Sequence, residues 1–263
     1  MKKKPIFGTR EWAVKTANCI EGCANNCTYC YAKSMAIRFR RRTPETWARE
    51  VPRLDWIEKA CRGQPCRVMF PSTHDITPAN IDTCLAAIGR LLDYGHELLI
   101  VTKAHSECMR RMVREFRRFR ERILFRITIG SALPESVSFW EPEAPHWAER
   151  WVSLMCAHRE GYRTSVSCEP MLDCKAPFLV TRMRDYVTDT IWLGKANQLR
   201  QRLRINGANG ETLEQAAVLM ELQDDAYIRK LYEELRDHPK IRWKESIKKV
   251  VGISLPDEAG LDV

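Results

Sequence analysis

The chain reads as an α/β fold built on parallel strands, and two features carry that expectation. From residue 67 onward, short apolar runs alternate with amphipathic stretches, about six strand–helix units in all, and such alternation joins parallel strands through helical crossovers. Length and composition allow it. At 263 residues the chain can bury a substantial core, and 44% hydrophobic with 29% charged residues is ordinary globular composition. That length suits one large domain or two small ones.

Taken in order, residues 1–12 form an irregular basic lead-in. Residues 13–20 suit a first strand, with β-branched Val14 and Thr16 ahead of a cysteine-rich loop. Residues 31–42 read as a helix ending in Arg38-Phe39-Arg40-Arg41-Arg42, and Pro44 stops it. A further helical stretch over 45–60 is interrupted near Pro52. Residues 67–70 make a short apolar strand. Thr77-Pro78 opens the next helix, with Thr77 as N-cap and proline in the first turn. Ile81, Cys84, Leu85, Ile88, Leu91 and Leu92 follow at helical spacing. Residues 97–102, Glu-Leu-Leu-Ile-Val-Thr, are a buried strand ending before Lys103. The 106–121 helix has Met109, Met112, Val113 and Phe116 on one stripe. Strands follow at 123–129, 162–168 and 190–193. Between them lie a helix after Pro142 and Pro145 and a helix or loop over 177–186. Residues 211–236 hold one or two helices, 241–243 are extended or irregular, and 245–251 form a last short helix. This divides the chain into the lead-in (1–12), a strand–helix domain (13–195) and a mainly helical C-terminal extension packed on it (196–263). No Gly-x-Gly-x-x-Gly follows the first strand, so a Rossmann dinucleotide site is not supported.

No run of about eighteen or more apolar residues exists, which speaks against a membrane-spanning helix. The charged start Met1-Lys2-Lys3-Lys4-Pro5 lacks the apolar segment of a secretory signal. Eleven cysteines is a high and odd number. Without an export signal, reduced thiols in a cytoplasmic protein with a metal site fit better than disulfides. The net charge of +9, from 43 Lys and Arg against 34 Asp and Glu, suits a polyanionic partner but does not by itself demand one.

The chemistry is concentrated in Gly22-Cys23-Ala24-Asn25-Asn26-Cys27-Thr28-Tyr29-Cys30-Tyr31-Ala32, which sets Cys23, Cys27 and Cys30 in a C-x3-C-x2-C pattern. Four thiolates usually hold an iron–sulfur cluster. Three so close together can each take one iron of a cubane and leave the fourth iron open to a ligand. The alternative is zinc held by Cys19, Cys23, Cys27 and Cys30. Structural zinc usually takes two separated cysteine pairs, and here all four would share one twelve-residue loop.

The cysteine spacing, with an aromatic residue just before the third cysteine, resembles the radical S-adenosylmethionine (radical SAM) superfamily. Within it, the chain is similar to the spore photoproduct lyase-like group of DNA repair enzymes from about Trp12 to Leu193. That likeness adds Ser72-Thr73-His74-Asp75-Ile76, Val101-Thr102-Lys103 and Thr128-Ile129-Gly130-Ser131, each after a successive strand. The resemblance implies a partial (β/α)6 TIM-like barrel of radical SAM type with a C-terminal helical extension, the cluster loop following the first strand. It implies a [4Fe-4S] cluster on Cys23, Cys27 and Cys30, and S-adenosyl-L-methionine on the open iron. Reductive cleavage of that cofactor yields a 5′-deoxyadenosyl radical that abstracts hydrogen from a substrate, most closely a nucleic-acid base or DNA lesion. An electron donor of flavodoxin or ferredoxin type is implied as well. Tyr29 occupies the aromatic position near the adenine. Lys103 would meet the cofactor carboxylate, Ser72 and Thr73 its ammonium, Asp75 a cationic or hydroxyl group, and Thr128 and Ser131 the ribose.

One departure stands out. Spore photoproduct lyase has a hydrogen-donating cysteine in the loop after the second strand, and the aligned position here is Ser72. A serine O–H bond is too strong for that role. Cys168, at the end of a later strand, is the candidate replacement if it points into the barrel mouth, and a buried strand cysteine if it does not. Two basic stretches remain: seven arginines within 110–122, read as a solvated helix face, and the 240–249 tail, where Trp243 among cations could stack a base or equally cap the barrel bottom or the core. Alternatives are radical SAM modification of RNA, a peptide or a small molecule, and a zinc-stabilised nucleic-acid-binding module without catalysis.

Overall fold

The computed structural model describes residue 6 and residues 8–260. Half of the lead-in, residues 1–5 and 7, lies outside the described residues. The strands are β1 (Lys15–Thr16), β2 (Ile20–Glu21), β3 (Val51–Pro52), β4 (Arg67–Phe70), β5 (Glu97–Thr102), β6 (Ile123–Thr128), β7 (Arg163–Cys168), β8 (Ile191–Leu193) and β9 (Ile241–Trp243). Seven of them form one curled sheet in the order β1-β4-β5-β6-β7-β8-β9, with every neighbour parallel. The short β2 and β3 pair antiparallel apart from it. The helices are α1 (Tyr31–Arg38), α2 (Asp55–Ala60), α3 (Ile81–Asp93), α4 (Ser106–Glu115), α5 (Pro134–Trp140), α6 (Trp147–Arg159), α7 (Ala176–Met183), α8 (Leu199–Ile205), α9 (Gly210–Leu222), α10 (Asp225–Leu235) and α11 (Glu245–Val251). The expected partial barrel is therefore present, with one strand more than the sequence suggested.

Strand alternation sorts the core into two layers. Phe70, Ile100, Phe125, Val166 and Leu193 join the main core under the helices. Their neighbours Met69, Leu99, Leu124 and Trp192 fill the inside of the curve together with Trp12. Burial on both faces explains why these strands read as apolar runs rather than alternating ones. Arg126 crosses the inner layer, with its guanidinium 4.6 Å from the Trp12 ring centre and its Nε donating to Ser165 Oγ at 2.9 Å.

Several boundaries move for identifiable reasons. The first strand pairs only at Lys15 and Thr16, because Asn18 leaves the ladder and accepts from the backbone N–H groups of Ser72 and Thr73, both at 2.8 Å. The 45–60 stretch yields helix only at α2, after the bend around Pro52. Thr77 does not cap α3. Its N–H donates to Asn80 Oδ1 at 2.9 Å, and the helix begins after Asn80. Helix α5 has no counterpart among the expected elements beyond the signal of Pro134 in its first turn, and α8 falls within the 196–263 stretch expected to be mainly helical. Residues 241–243 are too short to show a period, yet Ile241 and Trp243 both enter the main core and complete the sheet as β9.

Candidate active site

The cysteine loop is shaped by contacts far away in sequence. It starts at Gly22, whose φ of +95° is left-handed and whose missing Cβ would sit 2.4 Å from the Arg49 carbonyl oxygen, so no side chain fits. Cys23 N–H then donates to Trp47 O at 3.1 Å, and Ala24 N–H to Glu50 Oε1 at 3.0 Å. Asn25 Nδ2 donates to Asp75 Oδ2 at 2.9 Å, and Thr28 N–H to Trp140 O at 3.0 Å. From α8, Asn206 Nδ2 donates to the Thr28 and Cys30 carbonyls at 2.8 and 3.0 Å. Cys30 caps α1 through its sulfur, which accepts from Lys33 N–H at 3.4 Å.

All three thiols line a cavity of about 590 Å³ at the C-terminal edge of the sheet, where the end of β6 meets the segments after β4, β5, β7, β8 and β9. Burial pushes the Cys27 thiol up to about 12 and raises Cys23 and Cys30 as well. Among the described residues, no three His, Cys, Asp or Glu side chains converge as ligands of one metal ion. Cys19 is turned away from the loop, with its sulfur 3.8 Å from that of Cys84 inside the main core. The four-cysteine zinc site is thus not assembled. Three soft donors, spread along the wall of a cavity far larger than a single ion needs, fit a polynuclear iron–sulfur cluster with one thiolate per iron.

The facing wall comes from strand ends. Tyr29, Ser72, Thr73, Asp75, Lys103 and Thr128 all line the same cavity as the cysteines, as the motif order suggested. Asn18 clamps the 72–73 loop and also donates from Nδ2 to Ser72 Oγ at 3.0 Å, while Tyr31 OH donates to the Ser72 carbonyl. Asp75 is a hub. Besides Asn25, its carboxylate accepts from Ile76 N–H at 2.8 Å, Lys103 N–H at 3.0 Å and the Thr102 hydroxyl. Those contacts lock together the cysteine loop and the ends of β4 and β5. His74 is part of the frame too, its Nε2 accepting from Cys19 N–H at 3.2 Å.

Behind Lys103 lies a buried charge cluster with no forewarning in the sequence. Glu141, its side chain fully buried, pairs with Arg150, accepts from Tyr29 OH, and lies 3.6 Å from Lys103 Nζ. Burial works against the Glu141 carboxylate, but Arg150 and Lys103 hold its pKa below the usual value. Burial likewise opposes the Lys103 charge, while Cys27, Tyr29 and Glu141 raise its pKa well above normal. Arg150 is anchored in turn by donating to Pro145 O at 2.7 Å and to Thr128 O at 3.1 Å. The ammonium of Lys103 is therefore held at the cavity wall in a fixed position and stays charged.

Three expectations need correction. Cys168 does not reach the cavity: Ser167 and Glu169 line it, while Cys168 faces the helices in the main core, fully buried, with burial raising its pKa. Ser131 is absent from the cavity wall; its hydroxyl donates to Asp173 and its oxygen accepts from Leu133 N–H at 2.9 Å. The 240–249 tail is no open basic surface. Trp243 packs on Tyr232 at 5.2 Å in the core, and Lys244 is buried, 3.1 Å from Glu11 and 3.6 Å from Glu169. The arginines over 110–122 do lie outside the sheet. Arg111 pairs with Asp82 at 2.6 Å and Arg118 with Asp93 at 3.8 Å, as a solvated face would.

No protein-family model matches the chain, and no curated protein matches it in sequence. Solved structures do. A complex of spore photoproduct lyase with dinucleoside spore photoproduct matches with a TM-score of 0.60 at 15% identity, over 92% of this chain and 79% of that one. The chain has the fold of spore photoproduct lyase. A cysteine-to-serine variant of that lyase matches with a TM-score of 0.59 at 16% identity, over 92% of this chain and 80% of that one. A third structure of the lyase, with bound AdoMet and dinucleoside spore photoproduct, matches with a TM-score of 0.59 at 14% identity, over 92% and 79%. Among the described residues, no helix is long and apolar enough to cross a membrane.

Proposed function

We propose that this protein is a radical SAM enzyme acting on a nucleic-acid base or lesion. The observation that carries the reading is the convergence of three cysteines from one loop with a half-buried lysine, paired to Glu141, on a single cavity. Cys23, Cys27 and Cys30 would hold a [4Fe-4S] cluster. When bound and reduced by an external one-electron donor, that cluster and S-adenosylmethionine together supply the 5′-deoxyadenosyl radical that abstracts a substrate hydrogen.

The chain's own residues do the rest. Lys103, steadied by Glu141, presents a positive charge to the carboxylate of the methionyl group. The Thr73 hydroxyl, which has no hydrogen bond among the described residues, is available to the ammonium. Asp75 serves by fixing backbone, since its oxygens are taken by Asn25, Ile76, Thr102 and Lys103. Tyr29 closes one wall with its ring, the Lys103 ammonium 5.9 Å from the ring centre. Thr128 offers a hydroxyl at the end of β6. The shared fold with a lyase solved with a dinucleoside lesion supports the substrate class. Ser72 stands where the resemblance expects a hydrogen-donating cysteine, and among the described residues Cys23, Cys27 and Cys30 are the only thiols lining the cavity. The reaction is accordingly proposed to proceed without a separate thiol donor.

Anaerobic purification tests the reading. About four irons per chain and a brown chromophore are expected. With S-adenosylmethionine and a strong reductant, 5′-deoxyadenosine should be released, and Cys27→Ala should abolish it. A colourless protein with one zinc, or an unaffected mutant, would refute the assignment.

A further inference from the structure

One face of α1 is left largely uncovered by the fold beyond the Tyr31 hydroxyl, which donates to the Ser72 carbonyl. Its inner side packs down, with Ser34 Oγ donating to Asn206 Oδ1 of α8 at 2.9 Å and Ala32, Lys33 and Ala36 buried. Its outer side carries Tyr31, Met35 and Phe39, four residues apart in one row. These are 38%, 41% and 60% exposed, so the row presents apolar surface to solvent along its whole length. It begins at the site, because Tyr31 also lines the cavity. Arg38 in the last turn, and Arg40 and Arg41 just past the helix end at Phe39, are exposed, and no carboxylate among the described residues pairs with them, whereas the next residue, Arg42, is 3.4 Å from Glu21. Where the row meets the cavity, Arg202 of α8 lies 5.9 Å from the Tyr31 ring centre, lines the cavity, and likewise has no ion-pair partner among the described residues.

Aromatic and thioether side chains followed by unpaired arginines match a ligand that alternates stackable faces with negative charge. We propose that a single-stranded segment of nucleic acid lies along this face of α1, with bases against Met35 and Phe39 and phosphates on Arg38, Arg40 and Arg41. Arg202 takes the phosphate beside the base that enters the cavity over Tyr31. A single strand is specified because a side-chain platform reaches only bases that are not paired and stacked within a duplex. The proposal deepens the reading of the cavity as a nucleic-acid-directed radical site and rests on it.

The test is fluorescence anisotropy with a labelled oligonucleotide of about ten nucleotides, single-stranded and as a duplex, at low and moderate salt. Three proteins are compared with wild type: Arg38→Glu/Arg40→Glu/Arg41→Glu, Phe39→Ala, and a control of equal charge change, Arg110→Glu/Arg114→Glu/Arg117→Glu. All seven positions are exposed, so circular dichroism is expected to be unchanged. The α1 triple and Phe39→Ala should each weaken single-strand binding by about tenfold or more, the control by less than about threefold, and the duplex should bind wild type more weakly. Equal losses in both triples, or undiminished binding by Phe39→Ala, would overturn the proposal. So would α1 variants that bind the oligonucleotide normally but lose affinity for an acidic, flavodoxin-type reductant. Release of 5′-deoxyadenosine by wild type, and its loss in Cys27→Ala, keep these outcomes separate from the cavity reading, which fails if either is not seen.

Discussion

Replacing Glu141 with alanine would test the charge cluster behind Lys103 most directly. The carboxylate is fully buried, pairs with an Arg150 side chain that is itself 1% exposed, and lies 3.6 Å from Lys103. Removing it leaves two cations close together without their shared anion, and breaking a buried pair from one side costs about 3–5 kcal/mol. Arg150 keeps its bonds to Pro145 O and Thr128 O, which argues for the lower end, about 3 kcal/mol. That is a large share of the roughly 5–15 kcal/mol that holds a typical domain together. Urea denaturation of the apo-protein reads it as a shift in midpoint at constant slope. The cycle through Arg150→Ala and the double variant should be strongly non-additive, because the second loss removes the orphaned charge that the first creates. A destabilisation under about 1 kcal/mol, or additive losses, would refute the claim that Glu141 organises this wall.

Other outcomes follow from single positions. Gly22→Ala sets a Cβ 2.4 Å from the Arg49 carbonyl in a left-handed backbone, so iron uptake should fall, along with about 1–3 kcal/mol of stability; normal iron content would contradict the turn. Cys168→Ala should keep substrate turnover, with about 1–2 kcal/mol of stability lost to a small cavity; intact 5′-deoxyadenosine release with abolished product formation would restore Cys168 as a hydrogen donor. Cys27 has a folded pKa of about 12 against an ordinary 9.0, so its burial contributes stability that is fully present below pH 9 and lost as pH rises toward 12. Thermal melts of apo-protein from about pH 8 to about pH 11 should show that decline, and Cys27→Ala should lessen it, the remainder belonging to Cys23, Cys30 and Cys168, whose pKa burial also raises. Iron uptake should run the opposite way and improve with pH, since each ligating thiol must give up its proton.

Much of the site was legible because a parallel α/β sheet gathers the residues after each strand at one edge. Once the strand before each motif is recognised, the C-x3-C-x2-C loop, Ser72-Thr73, Lys103 and Thr128 must meet there, whatever the lengths of the helices between them. Nothing comparable announced the partners. Tyr29 and Glu141 are 112 residues apart, and Asn206 and Thr28 178. Neither Glu141 nor Asn206 sits in a pattern that distinguishes it from a surface residue. Lys244 lies in a run of cations that looked like open surface, and it is buried because Glu11 and Glu169 converge on it.

Cys168 shows the limit most sharply. Its place at a strand end is legible in the sequence, but strand faces alternate residue by residue, and a shift of one position exchanges the cavity for the core. Ser167 faces the cavity and Cys168 the helices. By itself the sequence determined that three cysteines share one loop and which strand ends would surround them, because spacing and alternation are local properties of the chain. Only the tertiary structure decided which way each side chain points and which distant charge steadies it. Facing and pairing are settled when the sheet curls and its helices pack, and both depend on contacts that no local pattern encodes.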